Sequence, residues 1–214
     1  HISGITPAIS RHGASTTLEL VKQASARQIK ISCDLNFRKK LWRWEEGTPP
    51  GKLAERWMGQ IVALTDWLIC NEEDAADVFG IAGDGCDVGQ GKLDAAKFEA
   101  VAARLLERFP RLARVAITLR ESRSASCNGW GAMLYERSRG RGYFAPLDAD
   151  GNYRPYRIEN IVDRFGGGDS FAAALIDALY RREFAEPQAA VAFAAAASCL
   201  KHTIYGDYNY VSRD

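Results

Sequence analysis

A layered α/β fold, with a mostly parallel sheet and helices on both of its faces, is what the order of apolar segments predicts. Stretches with helical spacing alternate with short runs that read as buried strands, and this alternation builds a covered sheet rather than a helix bundle or an all-β sandwich. The 214 residues are 47% apolar, enough for a sizeable core, yet hold no hydrophobic run near the about 20 residues that a membrane crossing needs. Three consecutive glycines and an acid, Gly166-Gly167-Gly168-Asp169, stand where a helix begins.

Taken in order, Ser15 is the expected cap of a first amphipathic helix carrying Leu18, Leu20, Val21 and Ala24, which leads into a strand over residues 29–33. A second helix covers 53–64 and feeds the short apolar strand Trp67-Leu68-Ile69-Cys70. Asn71-Glu72-Glu73-Asp74 starts another helix through Val78 and Phe79, and Gly80 is a natural residue to end it. Residues 81–92, rich in Gly and Asp, read as an exposed loop. Helical spacing resumes over 95–109 with Pro110 as its stop, followed by the buried strand Val115-Ala116-Ile117-Thr118-Leu119. After the triple glycine, Ala172–Ile176 continues a helix, and the alanine-rich stretch 188–200 predicts a closely packed one. No internal repeat or low-complexity segment interrupts the pattern, so residues 1–214 are expected as a single α/β domain.

Composition excludes several functions. A net charge of +1, with acids and bases interleaved, gives no electrostatic case for nucleic acid. No signal peptide or membrane span is apparent, and the five cysteines, odd in number and without CxxC spacing, fit reduced thiols in a cytoplasm rather than a disulfide framework or a zinc site. His1, His12 and His202 are scattered and make no ligand set. Gly91-Lys92-Leu93 lacks the earlier glycine and the following hydroxyl of a P-loop, and no G-x-G-x-x-G follows the first strand.

The chemistry concentrates at the triple glycine. Glycines allow close backbone approach, the first N–H groups of a helix point out of its end, and the helix dipole favours negative charge there, so a phosphate-like group fits. A plain reading is a turn with Asp169 as N-cap. Beside a phosphoryl group, however, a carboxylate repels its neighbour unless it has work to do, and proton abstraction from a hydroxyl is such work.

The run Asp163-Arg164-Phe165-Gly166-Gly167-Gly168-Asp169-Ser170-Phe171 resembles the D-T-T-G-A-G-D-A-F signature of the ribokinase-like (PfkB-type) sugar kinases. Asp163, Gly166, Gly168, Asp169 and Phe171 match it, while Arg164, Phe165, Gly167 and Ser170 depart. A second stretch, Asp34-Leu35-Asn36-Phe37-Arg38-Lys39-Lys40-Leu41-Trp42, resembles the D-x-N-Y-R-x-x-L-W segment of 2-keto-3-deoxygluconate kinases and their relatives. The resemblance implies a ribokinase-like three-layer sandwich whose cradle amides at Gly166, Gly167 and Gly168 hold the transferring phosphoryl group, with Asp169 as base. It further implies that Asn36 and Arg38 face the phosphates and the acid sugar, a task suited to the planar fork of arginine, while Lys39, Lys40, Trp42 and Trp44 read as solvated charge and packing.

Three weaker segments extend the likeness. Asn71 to Asp74 resembles the family's N-x-x-E element for magnesium and phosphate, with Asp74 at the metal position, and helix capping by Asn71 is the competing reading. Thr118, Arg120 and Ser124 correspond to the nucleotide-side loop. Lys201-His202-Thr203-Ile204-Tyr205-Gly206-Asp207 resembles the closing segment that brings an acid, here Asp207, to the site, with a surface turn as the alternative. The implied cofactors are ATP and Mg2+, with a monovalent cation as a further ion the family admits. The implied substrate is a sugar acid, most narrowly 2-keto-3-deoxygluconate, with fructose, ribose or a silent sensing role as alternatives. The likeness begins at Ile2-Ser3-Gly4-Ile5, inside the family's central region, so the chain is expected to lack the small β lid and part of the sugar site, to be inactive alone, and to have lost with that lid a surface through which copies pair.

Overall fold

The structure, a computed structural model, describes residues 1–83, 95–122, 127–181, 184 and 186–212. It divides into two compact units, His1–Ile117 with Tyr135–Arg141, and Thr118–Leu134 with Gly142–Asp214. Among the described residues seven strands form one mixed sheet: β1 (Ile2–Ser3), β2 (Ser32–Asp34), β3 (Trp67–Asn71), β4 (Arg114–Ser122), β5 (Cys127–Glu136), β6 (Arg141–Ala145) and β7 (Tyr156–Glu159). The first six are neighbours in chain order, and β7 pairs with β5.

In the first unit β1, β2 and β3 run parallel, with Ile2 opposite Cys33 and Cys33 opposite Leu68. Cys33, Leu68, Ile69 and Cys70 are buried, the pattern of strands covered on both faces. The strand expected over 29–33 is shorter and shifted. Ile29 is exposed and the N–H of Ile31 donates to the buried Asp66 carboxylate at 2.8 Å, so the ladder begins only at Ser32. The first long helix also starts earlier than expected. Helix α1 (Ile5–Ile9) precedes α2 (Arg11–Ala26), whose cap is Ser10, not Ser15: the Ser10 hydroxyl accepts the Gly13 N–H at 3.0 Å. Helix α3 (Pro50–Val62) buries Leu53, Ala54, Met58, Ile61 and Val62 along one stripe, and α5 (Ala95–Arg108) buries Val101, Ala102, Leu105 and Leu106. Between them lies α4 (Glu72–Phe79), closed by Gly80 at φ +66°. Of the expected loop, Ile81–Gly83 lack regular structure and the remainder lies outside the described residues.

In the second unit, β5 and β7 are antiparallel, with Trp130 opposite Tyr156. Strands β5, β6 and β7 follow one another with no helix between them, a departure from strict helix–strand alternation that makes the sheet mixed. Helix α6 (Gly167–Tyr180) packs on α7 (Pro187–Lys201), burying Phe171, Leu175 and Ala178 of the first and Ala190, Val191, Ala194 and Ala195 of the second. The small side chains of α7 allow this close approach. Cys33, Cys70 and Cys199 are free thiols, and no helix among the described residues is long and apolar enough to cross a membrane.

Candidate active site

Helix α6 starts within the triple glycine. Gly166 is its N-cap, at φ +75° in the left-handed region, and Ser170 makes the first intrahelical bond by donating to the Gly166 carbonyl at 2.8 Å. The amides of Gly167, Gly168 and Asp169 therefore precede every acceptor the helix itself offers. Asp169 is not the N-cap of the plain reading. It occupies the third helical position, makes no capping bond, and its side chain is exposed. Around the helix start each glycine has a different reason. A methyl group on Gly166 would lie 2.1 Å from the Asp207 carbonyl oxygen, and one on Gly167 would lie 3.0 Å from the His202 ring. One on Gly168 would meet nothing within 4 Å. Glycine at a helical position costs roughly 0.5–1 kcal/mol relative to alanine, and at Gly168 no neighbouring protein atom requires it.

The segment after α7 forms the floor of this turn. The Asp163 carboxylate accepts the Phe165 N–H at 3.0 Å and the Gly206 N–H at 2.9 Å, and these main-chain bonds, the one from Phe165 foremost, hold its pKa below the usual carboxylate range against the opposing effect of burial. His202 is buried with Nδ1 2.8 Å from the Ser198 carbonyl, its ring 4.9 Å from that of Trp130, and burial lowers its pKa from the usual imidazole value. Where a methyl on Gly167 would stand, the His202 ring stands instead. Lys201, also fully buried, donates from Nζ to the carbonyls of Ile204 at 3.1 Å and Gly206 at 2.6 Å. Neither residue is singled out for function by the sequence, which names them only within the closing segment, and burial reveals them. Asp207, the acid of the closing segment, lines with Asp169, Ser170 and Tyr208 an open cavity of about 540 Å³.

The first unit holds Asn36, Arg38, Asn71 and Asp74. Asn71 caps α4, its side chain accepting the Asp74 N–H at 2.7 Å, and Asp74 returns the bond by accepting the Asn71 N–H at 3.4 Å. The other Asp74 oxygen accepts the Phe37 N–H at 3.1 Å, so this carboxylate fixes the turn that presents Arg38. Burial pushes its pKa up to about 6, against the main-chain bonds from Asn71 and Phe37 and the nearby Arg38 charge. Arg38 is exposed and donates to the Phe37 carbonyl at 2.9 Å. Asn36, at φ +37°, gives its side-chain amide to the Ser3 hydroxyl at 3.2 Å. Thr118 and Arg120 lie on β4 in the second unit, the first half-buried and the second exposed, and Ser124 lies outside the described residues. No cluster of three His, Cys, Asp or Glu side chains suited to a metal occurs among the described residues.

Residues 1–212 match the family model of the pfkB family carbohydrate kinases. A 2-dehydro-3-deoxygalactonokinase of Haloferax volcanii is 27% identical over all 214 residues of this chain, which cover 54% of that relative. Among solved structures, a 2-dehydro-3-deoxygluconokinase of Thermotoga maritima superposes with a TM-score of 0.81 at 36% identity, over 98% of this chain and 56% of its own. A PfkB family carbohydrate kinase of Listeria grayi gives 0.77 at 30% identity, over 98% and 55%. The chain thus spans about half the length of the relatives it matches. With the helix-start amides, the exposed acid that follows them and a family match that runs from the first residue to within two of the last, this chain belongs to the pfkB family of carbohydrate kinases.

Proposed function

We propose that the chain is the phosphoryl-binding core of a kinase that transfers the γ-phosphoryl group of ATP to a hydroxyl of a 2-keto-3-deoxy sugar acid, 2-keto-3-deoxygluconate going to its 6-phosphate. The observation that carries this reading is the exposed Asp169 one residue beyond Gly168, where an added methyl would meet no atom within 4 Å. A glycine that no protein atom requires, at the positive end of a helix and beside an unshielded carboxylate, suits a phosphoryl group arriving next to a hydroxyl.

Asp169 accepts the proton of the hydroxyl as its oxygen bonds to phosphorus, while the bond from phosphorus to the oxygen bridging to ADP breaks. The amides of Gly167, Gly168 and Asp169 hold the charge on the phosphoryl oxygens without reorganising during the step. Arg38 supplies a planar fork for an anionic ligand, and Asp74 serves it from behind by fixing Phe37. Magnesium, when bound on the nucleotide phosphates, neutralises their charge. Both Asp74 oxygens take main-chain N–H groups, which fits a supporting role better than that of a direct metal ligand. Asn36, Asn71, Thr118, Arg120 and Ser124 keep the nucleotide-side roles implied by the family likeness, and Asp207, in the same cavity as Asp169, keeps a place near the substrate.

The Haloferax relative acts on the galactonate-derived epimer by name and the Thermotoga relative on the gluconate-derived one, so the two keto-deoxy acids are the first pair to compare. The test is a panel of both acids, fructose and ribose offered with ATP and magnesium to the intact gene product, reading ADP formed. Turnover with a keto-deoxy acid well above fructose and ribose is the expected result. ADP formation with fructose or ribose alone would move the reading to another sugar, and none with any acceptor would favour a silent sensing domain.

A further inference from the structure

Lys201 is the last residue of α7 and is completely buried, an unusual place for an ammonium group. A buried cation is costly unless it is paired or fully hydrogen-bonded. Lys201 has no acid within ion-pair distance among the described residues. Its Nζ instead donates to two main-chain carbonyls, those of Ile204 and Gly206. Those oxygens follow the carbonyl end of a helix, where positive charge is favoured. Carbonyl oxygens gathered around a small monovalent charge are also how proteins replace the water shell of a potassium ion.

What the ammonium holds lies directly under the phosphoryl cradle. Gly206, whose carbonyl it takes, gives its N–H to Asp163 at 2.9 Å. The next carbonyl, that of Asp207, closes against Gly166, and the Lys201 Cε lies 3.3 Å from the point where a methyl on Gly166 would stand. Gly166 is the cap from which the free amides of Gly167, Gly168 and Asp169 follow. A charge that fixes the 204–207 main chain therefore fixes the cap, and through the cap the direction of those amides.

From this arrangement we infer that Lys201 is a tethered monovalent cation: its ammonium ligates the Ile204 and Gly206 carbonyls beneath the helix start and positions the cradle, so that phosphoryl transfer needs no potassium or ammonium from solvent. The inference rests on the kinase reading for its catalytic consequence and on geometry alone for its structural one. Lys201 is a positioning residue, since it touches neither the reacting phosphorus nor the hydroxyl.

The test uses the intact gene product, its Lys201→Met variant and its Lys201→Arg variant, each in potassium, ammonium or tetramethylammonium chloride of equal ionic strength. Wild type is expected to turn over equally in all three salts. Lys201→Met is expected to lose about 100-fold in kcat with a smaller change in KM for ATP, as for a cradle displaced by about 1 Å, and to recover in potassium or ammonium but not in tetramethylammonium, which is too large for the vacated space. Lys201→Arg keeps the charge but not the shape, and is expected to recover with no cation. Strong activation of wild type by potassium would overturn the proposal, as would a Lys201→Met variant equally impaired in every salt. Melting temperatures in the same three salts supply a second reading for a variant too unstable to assay: a rise for Lys201→Met specific to potassium or ammonium supports the inference, and an equal response to all three overturns it. Should wild type phosphorylate no acceptor, the kinase reading falls, and the melting series still decides whether a cation belongs among these carbonyls.

Discussion

Gly168→Ala separates what the fold needs from what a ligand needs. A methyl at Gly168 meets no atom within 4 Å, and the residue sits in the first turn of α6. Replacing a helical glycine by alanine without a clash reduces the freedom of the unfolded chain and stabilises by roughly 0.5–1 kcal/mol. If the free amides hold a phosphoryl group, as proposed, the same methyl crowds that group. Loss of one hydrogen bond to a charged group costs about 1.5–3 kcal/mol, or about tenfold to about 150-fold in affinity. The variant should therefore unfold at higher urea concentration than wild type and bind a non-hydrolysable ATP analogue more weakly, measured by denaturant titration and calorimetry on the same preparation. Destabilisation by more than about 1 kcal/mol would show that the glycine serves the fold. Unchanged analogue binding would show that the opening above it is not a phosphoryl site.

Gly166→Ala should do the opposite, lowering stability by about 2 kcal/mol or more, because alanine is strained at φ +75° and its methyl would overlap the Asp207 carbonyl; a urea midpoint equal to wild type would contradict the tight closure drawn for that turn. Asp74→Asn tests the buried carboxyl through pH. The folded pKa of about 6 lies above the unfolded value near 3.8, so the proton is bound more tightly in the folded protein, and the resulting stability is fully present below the unfolded pKa and lost as pH rises through 6. The shift corresponds to about 3 kcal/mol, so the stability of wild type relative to the variant should fall by about that amount from the acid to the neutral side of this window, and a difference that stays flat with pH would refute the assignment.

Helices whose buried stripe follows the 3.6-residue period were legible in the sequence: Leu53, Met58, Ile61 and Val62 in α3 and Val101, Leu105 and Leu106 in α5 stand on the faces their spacing predicts. The start of α2 was not, because its first turn, Arg11-His12-Gly13, is polar and the apolar period begins only at Leu18, which drew the expected cap to Ser15. Strand β5 was hidden for another reason. Its residues from Asn128 to Leu134 are buried on both faces, so no alternation marks it, and Gly129 and Gly131 read as breakers. Gly131 is glycine because the Tyr153 hydroxyl and the Ala145 carbonyl fill the place of its side chain, a contact between residues far apart in sequence.

The helix start proposed as the cradle was legible because its parts are contiguous: three glycines and an acid where α6 begins lie within four residues. Its support was not. Lys201 and His202 lie more than thirty positions further along, and their roles depend on burial and on carbonyls that only the folded closing segment brings together. The exchange at Gly167 has the same character, since the His202 ring that takes the place of a side chain there is invisible in the glycine run itself.

The most direct test of the central claim is single-turnover phosphoryl transfer from ATP to 2-keto-3-deoxygluconate by the intact gene product and by its Asp169→Asn variant, with nucleotide affinity measured alongside. The amide retains the size and exposure of the carboxylate but cannot take the proton, so the transfer rate should fall by roughly 100-fold to 10,000-fold while ATP affinity stays near that of wild type. Transfer at the wild-type rate by Asp169→Asn would contradict the assignment of this carboxylate as the base.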